Sequence, residues 1–564
     1  MEKNTLRVTI PLNITIEIGH ATNENPRTIL GAERSRPEDN EAPPVSEAEI
    51  LSQARKAFEK TEGFVSVRLG YKFENGWITK KRALVVTVKE RKSVAELNKT
   101  ANSRLPDNWG NYPVDITTPT IQQLLRESTK LHRTNQFVEP ESRYFPPDDI
   151  ELTTINSEMR VIASVSPEEG WNQLENFLIP TKNTLTIAMY DFGAPHIVDT
   201  ISALADRSGF DKFLLTLQPG ESVGDGAKKK DYRDKETVDK FKEAFGNKFD
   251  MSWVHIGSVN GWVNSSYHIK VAVRDSKALF LSSGNFQSSN QPQVKASDTA
   301  AYLLRTFNRE WHAVVENEEL ATVFEKFIKH DLKNNRPDAR EAMIEQQDLY
   351  LLTPKFAAVE GEAVAKEKFP VFDEYGTFTV TPILSPDNYF EKVLALVKSA
   401  EEQLLIQNQT FNCPKPDHAA LQELVAAVLE KQQAGLDVRI IFRTMYSATT
   451  RENLEGLVDM GFDPSCFKVH NRMHTKGIVV DGKKVLLGSQ NWSNDGVSVN
   501  RDASLLFENA PLASWFRQIF EHDWKNVAWQ FVGRESGTAS IVGREAPVPA
   551  TMDRFPLGDL LEIL

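Results

Sequence analysis

The sequence predicts an α/β protein in which two duplicated α/β lobes pack together as a pseudo-dimer, preceded by a smaller β-rich α+β module. The chain has 564 residues, which is too long for one ordinary domain. The second half aligns with the middle of the chain at several places, and each copy alternates predicted strands and helices. The N-terminal part carries the period-two apolar alternation of β-strands.

The N-terminal module is predicted to span residues 1–145. Alternating apolar residues at 6–18 predict a strand with one buried face, and the polar, proline-rich residues 20–45 predict a mobile linker. A short helix follows, then a hairpin around the turn Glu74-Asn75-Gly76 and a further strand at 112–116. The module contains no chemical motif, but its strand pattern resembles short modules that precede effector domains in bacterial chains. The resemblance implies that it binds a regulatory protein partner or mediates oligomerisation, and the alternative is that it only packs on the lobes.

The duplication defines the remaining boundaries. The segment NREWHAVVENEELATVFEKFIKHDLKN, from Asn308, aligns without a gap with NRDASLLFENAPLASWFRQIFEHDWKN, from Asn500. The spacing from the preceding histidine motif to this segment is 40 residues in copy one and 26 in copy two, so copy one carries an insertion of 14 residues. We expect lobe one at 150–335, a linker at 336–370, lobe two at 371–535 and a tail at 536–564.

Each copy contains the motif H-x-K-x₄-D followed by S-x-N. The motif residues are His268, Lys270, Asp275, Ser283 and Asn285 in copy one, and His474, Lys476, Asp481, Ser489 and Asn491 in copy two. In a strand, residues two apart project from the same face, so the His and Lys of each copy are expected to face one cleft. Asp275 and Asp481 lie further along the strand and are predicted to have a structural role, through a hydrogen bond that shapes the following turn.

Two complete motifs in register resemble the phospholipase D superfamily, which includes lipid hydrolases, transphosphatidylases and bacterial nucleases. The resemblance covers about 150–530 and is closest in character to the intracellular bacterial phospholipase D-like nucleases. The glycine that usually precedes the serine is Gly488 in copy two but Ser282 in copy one. The resemblance implies two phospholipase D-like lobes that share one active site.

The residue types suit the chemistry of a phosphodiester. Lys270, Lys476, Asn285 and Asn491 can bind its nonbridging oxygens and stabilise the charge that develops on them, so we expect no metal ion and no cofactor. One histidine attacks phosphorus to form a phosphohistidine, while the other gives a proton to the leaving oxygen.

Each histidine also needs a partner that fixes its tautomer. The resemblance implies a carboxylate downstream of each motif, and the aligned segments nominate Glu310 and Asp502, with Asp298 as a less favoured substitute for Glu310. The motifs are too alike to tell which histidine attacks. The resemblance favours His268 as nucleophile and His474 as general acid.

The substrate is less defined than the reaction. Lys228, Lys229, Lys230 and Arg233 form a basic stretch that suits a polyphosphate backbone, although a solvated loop explains it equally well. The net charge of −12 argues against a protein that coats nucleic acid nonspecifically, but a locally basic groove remains compatible with it. We favour an endonuclease that cleaves DNA or RNA. The alternative is a phospholipase D that hydrolyses or transfers phospholipid headgroups.

The cellular compartment is predicted from what the sequence lacks. Two cysteines are too few for a disulfide framework, and the sequence has neither a secretion signal nor an apolar run long enough to cross a membrane. We therefore expect a cytoplasmic protein without integral membrane association, so that any membrane contact would be peripheral.

Overall fold

The computed structural model describes residues 46–90, 105–124, 142–219, 231–257, 261–335, 349–354, 368–444, 446–533, 539–543, 547–549 and 551–556. The strand expected at 6–18 and the linker expected at 20–45 lie outside these residues. No helix of the described parts is long and apolar enough to span a bilayer.

The N-terminal module is a small mixed sheet with one helix packed against it. Its elements are α1 (Glu47–Phe58), β1 (Phe64–Glu74), β2 (Trp77–Val88), β3 (Asn108–Trp109) and β4 (Tyr112–Thr117), in the strand order β1-β2-β4-β3. Asn75 and Gly76, with φ of 51° and 78°, turn β1 into β2, as the Asn-Gly signal predicts. The strand predicted at 112–116 is β4.

Lobe one follows the predicted alternation of strands and helices. Its elements are β5 (Ile155–Ser166), α2 (Gly170–Leu178), β6 (Thr184–Met189), α3 (Pro195–Ser202), β7 (Lys212–Leu217), α4 (Asp234–Phe245), β8 (Phe249–Trp253), β9 (Lys270–Arg274), β10 (Ala278–Ser282), α5 (Ala300–Thr306), β11 (Glu310–Glu316) and α6 (Glu318–Asn334). Short 3₁₀ turns occupy Ala203–Asp206 and Gly246–Lys248. Helix α5 lies within the insertion of copy one.

Lobe two repeats the pattern. Its elements are β13 (Phe372–Ser385), α7 (Tyr389–Lys398), β14 (Gln403–Asn408), α8 (Ala419–Gln433), β15 (Asp437–Arg443), α9 (Ser447–Asp459), a 3₁₀ turn at Pro464–Cys466, β16 (Phe467–His470), β17 (Lys476–Val480), β18 (Lys484–Gly488), β19 (Asp502–Glu508) and α10 (Ala510–Asn526). The aligned helices α6 and α10 start alike, because the side chains of Asn317 and Asn509 accept the backbone N–H three residues on.

One continuous sheet joins the two lobes. Fourteen strands of the described residues have the order β16-β15-β14-β17-β18-β19-β13-β5-β11-β10-β9-β6-β7-β8. The order reads the same from both ends once each strand is replaced by its repeat, so the lobes are related by a pseudo-twofold axis between β5 and β13. These two strands pair antiparallel, from Phe372 opposite Ala163 to Val380 opposite Ile155. The predicted fold class, two duplicated α/β lobes with a β-rich N-terminal module, is confirmed.

The expected linker and tail contain strands that form a third small sheet. Strand β12 (Leu349–Pro354) pairs antiparallel with both β20 (Ser540–Gly543) and β21 (Met552–Pro556). The apolar side chains of Tyr350, Leu351 and Leu352 are buried there. The linker expected at 336–370 therefore contains a short apolar strand at Leu349–Pro354. The end of the predicted tail, 557–564, lies outside the described residues.

The N-terminal module packs on lobe two, chiefly on α9. Arg68 and Arg82 of the module pair with Glu455 and Asp459 of that helix. The hydroxyl groups of Thr118 and Tyr446 are hydrogen-bonded at 2.7 Å. These contacts agree with the alternative expected for this module, that it packs on the lobes. A regulatory or oligomerising role stays a prediction.

Candidate active site

The two histidines lie at matching places in the two lobes. His268 stands two residues before Lys270, the first residue of β9, and His474 two residues before Lys476, the first residue of β17. Both imidazoles are buried, with exposed fractions of 3% and 7%. The charge of Lys476 affects His268 and that of Lys270 affects His474, so both motifs contribute to one site.

Each histidine pairs with a carboxylate from the other lobe. His268 Nδ1 lies 2.9 Å from Asp502 Oδ1 at the start of β19, and His474 Nδ1 lies 2.6 Å from Glu310 Oε1 at the start of β11. Glu310 and Asp502 are the carboxylates that the aligned segments nominated. The sequence did not show that the pairs cross between lobes.

These pairs fix the tautomers of both rings. An ionised carboxylate can only accept a hydrogen bond, so the Nδ1 atom of each histidine carries the hydrogen. The Nε2 atom of each ring is then free of that hydrogen and available to attack phosphorus or to carry a transferable proton. Two equivalent Nε2 atoms in one site match the nucleophile and proton donor that the mechanism needs.

The two motif serines hold the carboxylates. Ser283 Oγ donates to Glu310 Oε2 and Ser489 Oγ donates to Asp502 Oδ1, both at 2.6 Å. Each serine also accepts the backbone N–H of the residue after its carboxylate, from Trp311 and Ala503 respectively, at 3.0 Å. The serines therefore orient the carboxylates of their own lobe and do not contact the histidines directly in the hydrogen bonds observed.

The motif lysines and asparagines surround the histidines. Lys270 Nζ donates to the carbonyl oxygen of His268 at 2.6 Å, and Lys476 Nζ donates to that of His474 at 2.9 Å. Lys476 Nζ also lies 3.4 Å from His474 Nε2. Asn285 and Asn491 are buried, and the Oδ1 atom of each has no hydrogen-bond partner among the described residues. These cations and amides are placed to bind an anion that reaches Nε2.

Burial and mutual repulsion shift the protonation of the site. Burial, reinforced by Lys270, lowers the pKa of His268 to about 4, although Asp502 opposes the shift. Burial together with Lys476 and Arg443 places the pKa of His474 well below its ordinary value. Burial also lowers the pKa of the Lys476 ammonium strongly, although Glu310 opposes it. Both imidazoles are therefore neutral near pH 7 before an anion binds.

The two carboxylates differ from each other. Burial raises the pKa of Glu310, against the opposing effects of Lys476 and Ser283. Burial acts the same way on Asp502, but the charge and hydrogen bond of His268 outweigh it, so the pKa of Asp502 lies below its ordinary value. The site is symmetric in topology and asymmetric in electrostatics.

Asp275 and Asp481 stand away from the histidines at the far ends of β9 and β17. Asp275 accepts the backbone N–H groups of Lys182, Asn183 and Thr184 at 2.6–3.0 Å. Asp481 accepts three equivalent N–H groups, from Glu401, Glu402 and Gln403, at 2.8–3.1 Å. Both adopt positive φ, near 53°. These hydrogen bonds join each aspartate to the start of the neighbouring strand, β6 or β14, and not, as was predicted, to the turn that follows it.

Of the remaining expected residues, the structure describes Arg233 and Asp298. Lys228, Lys229 and Lys230 lie outside the described residues. Arg233 is exposed at the N-cap of α4. The side chain of Asp298, the less favoured substitute for Glu310, accepts the backbone N–H of Lys295 at 2.9 Å, and Glu310 itself occupies the place beside His474.

In copy one, Ser282 stands where the motif usually has glycine, and a histidine of the neighbouring strand faces it. Ser282 lies opposite His312 across the β10–β11 pair, and Ser282 Oγ is 2.9 Å from His312 Nδ1. In copy two the equivalent pair is Gly488 and Ser504, and a Cβ added to Gly488 would lie 1.7 Å from Ser504 Oγ. The serine therefore fits in copy one only because the residue across the strand differs.

Sequence reasoning missed several residues that contact the site. The ring of Tyr190 lies 5.1 Å from that of His268, and Lys270 Nζ lies 5.2 Å above the same ring. Asn290, in the loop after β10, donates to Glu310. Arg443 ends β15 near His474. The alignment of the two copies could have drawn attention to them, because each stands where the other copy has a different residue type.

Buried ion pairs between the lobes surround the same carboxylates. Arg309, immediately before Glu310, lies 2.7 Å from both Glu168 and Asp523. Arg501, immediately before Asp502, lies 3.0 Å from Asp331 and 2.6 Å from Asp387. Asp331 and Asp523 come from the helix of the opposite lobe. The signal for these pairs was present in the aligned segments as the repeated Asn-Arg-acid and His-Asp pairs.

Comparison with known proteins gives relatives for this arrangement. Residues 393–524 match the family model described as "Cardiolipin synthase, PLD-like domain". The mitochondrial cardiolipin hydrolase of Xenopus tropicalis is 30% identical over 144 residues, which are 26% of this chain and 65% of that protein. Cardiolipin synthase 2 of Staphylococcus epidermidis is 27% identical over 168 residues, 28% of this chain and 33% of that protein. The alignment with the hydrolase thus spans just under two thirds of its length.

A solved structure is similar over a longer part of the chain. The crystal structure of phosphatidylserine synthase from Haemophilus influenzae covers 66% of this chain and 88% of that one, with 14% identity and a TM-score of 0.45.

Proposed function

We propose that this chain acts as a phosphodiesterase of the phospholipase D superfamily and that it hydrolyses or transfers the headgroup phosphodiester of a phospholipid. The observation that carries the reaction is the pair of buried histidines, each backed by a carboxylate of the other lobe. One such pair supplies an attacking nitrogen and the other a proton donor, so both lobes are needed for one turnover.

The proposed mechanism needs only groups of this chain. His268 Nε2 attacks phosphorus while His474 gives its proton to the leaving alkoxide oxygen, so that the P–O bond breaks and a phosphohistidine forms. A water or an acceptor alcohol then loses its proton to His474 and attacks the same phosphorus, which releases His268. Lys270 and Lys476 balance the charge on the nonbridging oxygens and Asn285 and Asn491 donate to them.

An anionic substrate also supplies the negative charge that favours protonation of His474. The low pKa of His474 means that little of this imidazole is protonated near neutral pH. A bound phosphate places negative charge beside Lys270, Lys476 and both rings, which favours the protonated form of His474. Binding of substrate therefore prepares the proton donor.

The choice of a lipid over a nucleic acid rests on the sequence relatives. The proteins named above act, by their names, on cardiolipin or its synthesis. Lys228, Lys229 and Lys230 of the basic stretch that favoured a nuclease lie outside the described residues, and Arg233 is exposed at the N-cap of α4. The phospholipid alternative thus has more support than the endonuclease that the sequence alone favoured.

We propose that the enzyme works in the cytoplasm and reaches lipid from the membrane surface. Cys413 and Cys466 are both free thiols, as a reducing compartment favours. A peripheral contact would let one enzyme act on lipids without a spanning segment.

The proposal is tested by incubating the full chain with cardiolipin or phosphatidylcholine vesicles in excess EDTA and measuring the released alcohol and phosphatidic acid. Hydrolysis is expected to persist in EDTA, because charge stabilisation comes from lysine and asparagine. His268→Ala and His474→Ala should each remove nearly all turnover, and the double variant should be little worse, because the two residues act as one unit.

Three outcomes would contradict the proposed substrate, the mechanism and the single shared site, respectively. Cleavage of DNA or RNA without hydrolysis of either lipid would restore the nuclease assignment. Activity that vanishes in EDTA and returns only with a divalent metal would exclude the mechanism. Half the original rate in each single variant would mean two independent sites.

A further inference from the structure

The loop after β10 carries an amide that copy two does not have. Ser283, Asn285 and Phe286 align with Ser489, Asn491 and Trp492, and the backbone follows the same course, with a parallel bridge from Phe286 to Phe192 and from Trp492 to Phe411. In this register Asn290 stands where copy two has Gly496. A Cβ at Gly496 would lie 2.3 Å from the carbonyl oxygen of Asn491, so copy two has no room for a side chain there.

The amide of Asn290 reaches one of the two histidine–carboxylate pairs. Asn290 is buried, and its Nδ2 atom donates to Glu310 Oε1 at 2.6 Å. The same oxygen contacts His474 Nδ1 at 2.6 Å, and Nδ2 itself lies 3.4 Å from that ring nitrogen. Ser289 Oγ donates to Asn290 Oδ1 at 2.8 Å, which fixes the orientation of the amide. Asn290 and His474 therefore share one carboxylate oxygen.

Among the described residues, the carboxylate beside His268 has one side-chain donor besides its histidine, whereas Glu310 has two. Asp502 Oδ1 accepts from Ser489 and His268, while Asp502 Oδ2 is buried and has no hydrogen-bond partner among the described residues. Glu310 has donors on both oxygens, Ser283 on Oε2 and Asn290 on Oε1. A carboxylate that already accepts additional N–H bonds offers less of its charge to the imidazole beside it.

We propose that Asn290 is a positioning residue that makes the two histidines unequal, by taking up part of Glu310 Oε1 and so weakening the hold of this carboxylate on the proton of His474. The proposal rests on the proposed function in one respect, namely that an unequal pair is what a nucleophile and a proton donor require. It gives a structural reason, within this chain, for which histidine attacks and which one donates the proton, an assignment that two similar motifs leave undecided. Asn290 acts through Glu310 and need not touch the substrate.

Other charged or titratable groups also face Glu310 and His474 and influence the protonation of both. They are Lys270 of β9, His312 of β11, Arg443 of β15, Lys476 of β17, and the partner pair His268 and Asp502. These residues are the same in every variant of Asn290. The hydrogen bond from Asn290 also acts to lower the pKa of Glu310, which burial raises, so the comparison reports on the pair of Glu310 and His474 together.

The first measurement does not depend on activity. The imidazoles of the full chain are labelled with carbon-13 at Cε1, the His474 signal is assigned from its loss in His474→Gln, and its pKa is followed by NMR titration. In Asn290→Leu, which nearly keeps the volume and excludes water, the pKa of His474 should rise by about one unit, a tenfold gain in proton affinity. The pKa of His268 should stay in place. Ser289→Ala should shift His474 in the same direction by less, and it serves as the second variant if Asn290→Leu does not fold.

The second measurement uses two substrates that differ only in the need for a proton donor. With an alkyl leaving group, the fall in turnover at high pH should move upward in Asn290→Leu by the same shift as the NMR titration. With p-nitrophenol as leaving group, which departs without a proton, it should not move. Asn156→Leu, an exposed asparagine of lobe one that donates to Thr379, is the matched control and should leave both profiles unchanged.

An unchanged or lowered pKa of His474 would overturn the proposal, as would an equal loss of turnover on both substrates with unmoved profiles, because a purely structural residue would give that pattern. If the His474 signal shifts as expected but the wild type cleaves no phosphodiester, the role of Asn290 stands and the proposed function fails.

Discussion

At the scale of single residues, the site depends on carboxylates that reach across the molecule. Glu310 and Asp502 each receive a serine hydroxyl from their own lobe and an imidazole from the other. The serine fixes the carboxylate rotamer, and the carboxylate fixes the tautomer of the ring. A motif that looks complete within one copy is therefore completed by its repeat.

The crossed arrangement predicts which pairs of residues are energetically coupled. In double-mutant cycles measured by denaturant unfolding, His474→Gln with Glu310→Gln should show a coupling of about 0.5–3 kcal/mol, because the two groups are in contact. His268→Gln with Asp502→Asn should behave likewise.

The same-lobe combinations are the control. His268→Gln with Glu310→Gln should be additive within about 0.5 kcal/mol. Stronger coupling within a lobe than between lobes would show that the pairs do not cross in solution.

At the scale of elements, the two lobes meet through a pair of residues of very different size. Trp311 of β11 lies fully buried against Phe516 of α10, with ring centroids 4.5 Å apart. It also covers Gly477 of β17, where an added Cβ would lie 2.2 Å from the indole. The equivalent residues at the other side of the pseudo-twofold axis are Ala503 and Val271. A large residue packs on glycine on one side of the axis, and alanine and valine occupy the equivalent positions on the other side. The two lobes therefore differ where they meet.

This packing makes Gly477 intolerant of the residue that copy one uses. Gly477→Val should lower the free energy of unfolding by about 1–3 kcal/mol, because an overpacked core must displace the indole. Combining it with Trp311→Ala, which reproduces the Val271 and Ala503 arrangement, should cost less than the sum of the two single changes. Denaturant midpoints of the four proteins measure this.

A glycine in open space provides the comparison. Gly376 of β13 also lies within a strand, and an added Cβ there meets nothing within 4 Å. Gly376→Val should change stability by no more than about 0.5 kcal/mol. An equal loss at both glycines would mean that the strand backbone, and not Trp311, decides the cost.

At the scale of the whole molecule, the lobes are held as one body by the continuous sheet and by two buried arginines. Arg309 and Arg501 are fully buried, and each links acids from both lobes. Because each arginine directly precedes the carboxylate that crosses to the opposite histidine, the same contacts that join the lobes also place the site.

Breaking either link should affect stability and activity together. Arg309→Met or Arg501→Met leaves buried carboxylates without a countercharge and should cost about 3–5 kcal/mol of unfolding free energy. Each variant should also lose turnover, because Glu310 or Asp502 is no longer held in place. Unfolding by denaturant, followed by tryptophan fluorescence, measures the first effect.

The exposed pair of Arg160 with Asp373, at 2.7 Å, is the matched control, since it also joins the lobes but lies at the surface. Arg160→Met should cost no more than about 1 kcal/mol. A similar cost at Arg160 and Arg501 would contradict the importance given to burial. The N-terminal module, which pairs with α9 through Arg68–Glu455, Arg82–Asp459 and the buried pair Asp115–Arg451, is expected to stay folded in all three variants.

The sequence by itself determined the duplication, the α/β class, both sets of motif residues and the two candidate carboxylates. The duplication, the class and the motif residues follow from local periodicity and from the repeated spacing, which a linear comparison of the chain with itself detects. The Asn-Gly hairpin belongs with them, because its backbone conformation is set by two adjacent residues. The need for a carboxylate after each motif is what the resemblance to the phospholipase D superfamily implies, and the aligned segments nominate Glu310 and Asp502.

The tertiary structure decided which histidine each carboxylate serves, how Trp311 and Gly477 divide their space, and that Asn290 reaches only one of the two pairs. It also brought β12 together with β20 and β21, from which the whole of lobe two separates it. The physical reason is that these contacts join residues that are not neighbours along the chain, and those of the carboxylates and of Trp311 also cross the pseudo-twofold interface. The residue spacing within one copy does not show which of the two similar histidines a carboxylate will contact.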